Sequence, residues 1–316
     1  MNLNINYKLI VFISTIFSLI VGFGFYGFGN DYYEIYQSHN LDWPGWKDHL
    51  GFRISTLSIY GKHIGVFLVS FILAISSGIL LRNFLEYQKI NSIYIYTYIY
   101  IVVLHTWPII MSTSNAMRQG IAMSFIFFSF AYLLKKKNFI SFFFIFISIF
   151  THKTGIFFLT IFVISFAIKF IVDLFKDTKY LTNLHLILNI LFFYLFLILL
   201  SSNFDISETS RVIAGDYRLF FIIISLTYIS IFAFKYKLLM RNDFSLILYL
   251  FSSASSALLF VGMNWQYERL MMIMIIPYIM IFSTLFDKKL SIFFLILSFT
   301  TLFGITILNG MYSSLK

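Results

Sequence analysis

Residues 117–159 read MRQGIAMSFIFFSFAYLLKKKNFISFFFIFISIFTHKTGIFFL, and this stretch decides the fold. An apolar run is stopped by three lysines, a phenylalanine-rich run follows, and a His-Lys-Thr-Gly turn leads into a third apolar run. These runs are too long and unbroken for barrel strands, which alternate over about ten residues. They approach the roughly 20 residues that a spanning helix needs. The whole chain shares this character: it is 60% hydrophobic, 21% aromatic and only 11% charged, against about 25% charged residues in soluble domains. Such a chain cannot cover a water-facing surface. It reads as an all-α polytopic membrane protein, a bundle of transmembrane helices broken by only three prolines.

Working outward, apolar runs between polar breaks predict eleven helices, at 7–28, 63–81, 91–110, 115–134, 139–152, 154–172, 184–201, 217–234, 244–262, 270–286 and 290–308. The first run exceeds the apolar core of about 7–15 residues in a signal peptide and lacks a small-x-small cleavage site, so it reads as a retained helix. No soluble domain, linker or internal repeat is visible, and 1–316 reads as a single membrane domain. There is no cysteine, which removes disulfides and thiol catalysis.

The net charge of +10 would point to nucleic acid in a soluble protein. Here its distribution matters instead, and no nucleic-acid partner is expected. With the N-terminus in the cytoplasm, the inner side carries 14 basic and five acidic residues, the outer side nine basic and eight acidic. Positive-inside counting favours that orientation. Lys135, Lys136 and Lys137 are then ordinary anchors.

The outer side carries the chemistry. Five helices run inward from it, and each has a cation at or near its start: Lys62, Arg118, Lys153, Arg218 and Arg269. A cation at a helix N-terminus opposes the dipole, typically at a cost of about 0.3–1 kcal/mol, and these also oppose the positive-inside bias. Snorkelling to headgroups or pairing with Asp216 or Glu268 explains single cases. For the set, a shared anion is the better explanation, because helix N-termini with Arg and Lys form a phosphate cradle. Arg211 and Arg53 in the outer loops join it.

The fifth run sharpens this reading. It supplies about 14 residues before His152-Lys153, roughly 20 Å against a core of about 30 Å. The chain therefore turns at Thr151–Gly155, below the outer surface, where only protein or water can bury a turn. An ionisable pair at that depth marks a functional site by default. Acids on the outer side, among them Asp31, Glu34, Asp205, Glu208, Asp216 and Glu268, suit general-base work or serve as arginine partners. Tyr32, Tyr33, Trp43, Trp46, Trp265 and Tyr267 stack on sugars or form an interfacial belt, the belt being the simpler reading. His105 reads as a packed core histidine. No P-loop, HExxH, Asp-x-Asp or GxSxG pattern occurs. The expected chemistry is thus independent of metals, nucleotides and other cofactors.

The quoted stretch resembles the central signature of the EpsG-like branch of Wzy-type polysaccharide polymerases. An Arg-Gln-Gly opens a helix, a basic turn follows, and a phenylalanine-rich helix ends in His-Lys-Thr-Gly. GNDYYEIYQ, from Gly29, is similar to that family's Asp-Tyr segment, and YERLMMIMIIPYIM, from Tyr267, to its late Glu-Arg helix start. Residues 40–60 fit the pattern only loosely. The resemblance implies a bacterial inner-membrane glycosyltransferase with a GT-C-like helical bundle and a site facing the periplasm. Its substrates would be undecaprenyl-pyrophosphate-linked oligosaccharides, polymerised into O-antigen or exopolysaccharide, with a chain-length regulator as a further partner. Under that reading Arg118, Gln119, Lys153, Arg211, Arg218 and Arg269 bind the pyrophosphate. Asp31, His152 and Glu268 are the candidate bases. Two other classes stay open: a lipid-linked oligosaccharide flippase and a membrane acyltransferase that modifies surface glycans.

Overall fold

The computed structural model describes residues 7–28, 32, 63–114, 116–152, 154–174, 244, 247, 248, 251, 255 and 264–285. All regular structure among them is helical. The helices are α1 (Tyr7–Gly22), α2 (Ile64–Tyr87), α3 (Ile93–Leu104), α4 (Trp107–Ser114), α5 (Met117–Leu134), α6 (Asn138–Thr151), α7 (Thr154–Leu174) and α8 (Asn264–Leu285). By length and composition α2 and α5 can cross a membrane, and α3 with α4, bent by 55°, can make a third span. The spans expected at 184–201, 217–234 and 290–308, and most of 244–262, lie outside the described residues.

The chain forms two compact units, Met1–Ile156 with Ile276–Lys316, and Phe157–Ile275. In the first unit α2 is the central helix, packed against α1, α3, α4 and α5. Ser70, Ala74 and Gly78 place small residues along one of its faces at a spacing of four, which lets neighbouring helices approach closely. Tyrosines of α3 fill the space: Tyr100 donates to the Ala74 carbonyl at 2.7 Å and Tyr96 to that of Gly78 at 3.2 Å. The Tyr100 hydroxyl also meets Ser14 Oγ of α1 at 2.8 Å. A tyrosine buried in an apolar bundle must place its hydroxyl on such a partner.

The contacts also fix direction. Val69 packs against Gly120, and farther along both helices Asn83 Nδ2 donates to the Ala131 carbonyl at 3.0 Å. The α2 and α5 helices are therefore parallel, and the chain between them must return across the membrane. The α3 helix does this only in part, since 12 residues reach about 18 Å, and α4 supplies about 12 Å more. A continuous helix over 91–110 was expected. The break at His105–Thr106 arises because Pro108 has no N–H to give Leu104 and its ring crowds that carbonyl. Thr106 Oγ1 closes the broken end on the Val103 carbonyl at 2.7 Å.

Other boundaries shift for stated reasons. The α1 helix ends at Gly22 and not at Phe28, because Gly24 takes φ +78°. The Gly24 and Phe25 amides donate to the Val21 and Ile20 carbonyls, the bonding pattern of a Schellman stop. Lys89 and Lys136 adopt φ 58° and end α2 and α5 with the same pattern. The α2 helix continues to Tyr87, past the end expected at Leu81. Arg82 therefore lies within the helix and does not end it. The α8 helix begins at Asn264, since nothing from Trp265 to Arg269 breaks a helix. Its residues Leu270–Ile281 are buried on every side. In the second unit, Phe158 of α7 stacks on Phe251 at 6.1 Å.

Candidate functional site

The α5 and α6 helices form an antiparallel hairpin around the three lysines. Ser129 Oγ meets Ser141 Oγ at 2.8 Å, and Phe125, Phe128 and Tyr132 pack on Phe144. This pairing sets the register. Eleven residues from Ser129 toward the start of α5 lies Arg118, and eleven from Ser141 toward the end of α6 lies His152. The hairpin thus brings Arg118 and His152 to the same level, at the end of the bundle opposite the lysines.

Both are interior. Arg118 is 6% exposed, Gln119 1% and His152 5%. Headgroup snorkelling, one of the two explanations open to Arg118 on sequence grounds, is inconsistent with that burial. Helix-dipole logic adds to the electrostatics: Arg118 is the second residue of α5, where the dipole is positive, and Ala116 at the N-cap offers no side-chain bond. A cation and the positive end of a helix dipole thus share this corner.

Two glycines build this corner. A Cβ on Gly120 would fall on the Ser112 carbonyl oxygen at the end of α4, with Val69 Cγ1 at 3.1 Å. A Cβ on Gly155 would fall on the Ser148 carbonyl, 2.6 Å from Ile149 Cα. Only glycine lets the α4–α5 and α6–α7 junctions close this tightly. Between α6 and α7 the backbone turns at His152, which is extended, and the Gly155 amide donates to the His152 carbonyl at 2.8 Å. The turn expected at Thr151–Gly155 is present, and its His152 is buried within protein.

The junction also holds a residue that sequence reasoning missed. Ser112 is fully buried, and its Oγ takes part in no hydrogen bond. Arg118 Nη1 and Gln119 Oε1 are likewise buried atoms outside any hydrogen bond, although both residues make other contacts. Nothing in the run WPIIMSTSN singled out Ser112, because its place against Gly120 depends on where α4 ends.

The remaining candidates are placed more simply. Arg269 is half-buried in the second turn of α8 and belongs to the second compact unit, and Glu268 precedes it in that turn. Both therefore lie inside the helix, where a position before its start was expected. Asp31, Lys153, Arg211 and Arg218, with Lys62 and Arg53, lie outside the described residues. His105 is a packed histidine, with Nδ1 2.8 Å from the Ile101 carbonyl and the ring edge-on to Phe17. Tyr32 is fully buried and stacks on Phe28 at 4.5 Å. Among the described residues no group of His, Asp and Glu is arranged to hold a metal.

The chain matches the EpsG family over residues 7–315 and belongs to that family. EpsG is a Wzy-like family of membrane-embedded, glycosyltransferase-like polysaccharide polymerases. No curated protein and no solved structure matches the chain.

Proposed function

We propose that this protein is a bacterial O-antigen or exopolysaccharide polymerase that joins undecaprenyl-pyrophosphate-linked repeat units at the periplasmic face of the inner membrane. The observation that carries the reading is the pairing, by hairpin register, of a buried Arg118–Gln119 corner with a buried His152. An ionisable side chain buried inside an apolar bundle marks a functional site by default. A lipid pyrophosphate is an outer-leaflet anion of matching charge.

In the reaction, a hydroxyl of the incoming repeat attacks the anomeric carbon of the growing glycan. The new C–O bond forms as the bond from that carbon to pyrophosphate oxygen breaks, and the acceptor proton passes to a base, with Asp31, His152 and Glu268 the candidates. Undecaprenyl pyrophosphate leaves with the bonding electrons. Arg118, Gln119, Lys153, Arg211, Arg218 and Arg269 hold its charge, and preorganised donors of this kind supply several kcal/mol of transition-state stabilisation. Pyrophosphate is a good leaving group without added metal or nucleotide. A GT-C-like bundle of eleven spans, and an accompanying chain-length regulator, belong to the same proposal.

Deleting the gene and resolving surface glycan by size tests it. The expected result is loss of long chains while single repeats are still displayed. Loss of all surface repeats would mean a flippase, and unchanged chain length would mean a modifying enzyme such as an acyltransferase. Either outcome would overturn the proposal.

A further inference from the structure

The opposite end of the bundle holds a second cationic feature that the polymerase reading does not use. The α1 helix begins there, α2 and α5 end there, and they bring together Lys8, Arg82, Lys89, Lys135, Lys136 and Lys137. Arg82 differs from the lysines. It lies more than a turn inside α2 and is partly buried, with its guanidinium carbon 4.0 Å from the centre of the Tyr7 ring. Its Nε and Nη1 are buried and take part in no hydrogen bond. Glu86, one turn farther along α2, is exposed and makes no ion pair with it among the described residues.

A guanidinium with two buried donors and, among the described residues, no acid beside it carries a cost, since buried charges are ordinarily paired. The stack on Tyr7 offsets part of this, about 0.5–2 kcal/mol for a cation over an aromatic face. It also holds the guanidinium in place at the start of α1. The first turn of α1 adds the positive end of a helix dipole at the same place. This end of the bundle is the basic side by charge count, and anionic headgroups are concentrated on that side of a membrane.

We infer that Arg82, held on the Tyr7 ring between the start of α1 and the last turns of α2, binds the phosphate of an anionic lipid headgroup in the cytoplasmic leaflet. The site is separate from the Arg118 corner and stands whether or not the polymerase reading holds. Lysines at 89 and 135–137 attract anionic lipid generally, whereas the stacked guanidinium supplies the defined contact.

The test uses the full chain in nanodiscs of phosphatidylcholine alone or of an equimolar mixture with phosphatidylglycerol. Retained lipid is read by native mass spectrometry, and the thermal midpoint is measured alongside. Phosphatidylglycerol is expected to be retained and to raise the midpoint. Arg82→Gln should lower its occupancy about tenfold, the loss of one charge-assisted bond. Tyr7→Leu keeps the charge and removes the platform, so it should lower occupancy by a smaller factor even if Arg82→Gln folds poorly. Inorganic phosphate added to phosphatidylcholine discs should not reproduce the shift. Equal retention of phosphatidylglycerol by wild type and Tyr7→Leu, or full protection by inorganic phosphate, would overturn the inference.

Discussion

The two ends of α5 carry the same charge and treat it in opposite ways. At its start a single arginine is 6% exposed, set against the dipole and enclosed by α4 and α6. At its end three lysines are exposed, aligned with the dipole, and Lys136 itself turns the chain at φ 58°. Cations at a helix C-terminus in water need no further explanation. A cation buried at an N-terminus is disfavoured by the dipole, and Arg118 is held there by contacts inside the bundle. Location therefore separates two environments where residue type cannot.

The largest effect is expected from breaking the corner that encloses Arg118. Gly120→Ala places a methyl on the Ser112 carbonyl, which is backbone and cannot rotate away. We expect a loss of about 3 kcal/mol or more, at the upper end of overpacking costs. It should be read as a fall in membrane abundance and in thermal midpoint. Wild-type values for both would show that the α4–α5 junction is looser than described.

Substitution at Arg118 itself comes next. If the fork grips pyrophosphate, Arg118→Lys should be nearly as damaging as Arg118→Ala, each slowing polymerisation roughly 10- to 100-fold. Abundance is measured alongside, because the substitution also removes contacts that Arg118 makes inside the bundle. The measurement is surface-glycan length normalised to protein level, and long chains made normally by Arg118→Ala would sink the anion role.

Ser112→Ala sharpens the comparison without touching a charge. Removing a hydroxyl that makes no hydrogen bond should leave stability within about 0.5 kcal/mol. A fall in polymerisation at constant abundance would place Ser112 among the groups that meet substrate, while unchanged chain length would make it filling only. The smallest effect belongs to the lysine end. Lys136→Gly relieves a left-handed residue and should raise stability by up to about 1 kcal/mol, with glycan length unchanged. A loss of activity there would blur the distinction between the two ends.

Much of this was legible in sequence because it follows from length and charge. The short α6, its turn at His152 and the anchoring lysines all follow from counting residues against membrane thickness. Register could not be read that way. That Arg118 and His152 share a level depends on Ser129 meeting Ser141, and a serine in an apolar run does not announce its partner. The bend at His105–Thr106 had its cause in view at Pro108, but the apolar run continues through it and hides the break. Gly120 and Gly155 stood inside the recognised motif, yet a glycine within a helix does not say which backbone it receives. Arg82 read as one more inward-facing cation, since only packing reveals the ring beneath it.

The matched glycine seats at residues 120 and 155 have a consequence for hydrophobic mismatch. Each fixes the depth of a turn by contact of backbone on backbone, so that depth is set by neighbouring helices and not by lipid length. In a thinner or thicker bilayer the serine–glycine end keeps its position relative to the rest of the first unit. The adjustment falls on the lysine end, where long side chains can reach the interface over several ångströms at a cost of fractions of a kcal/mol per Å.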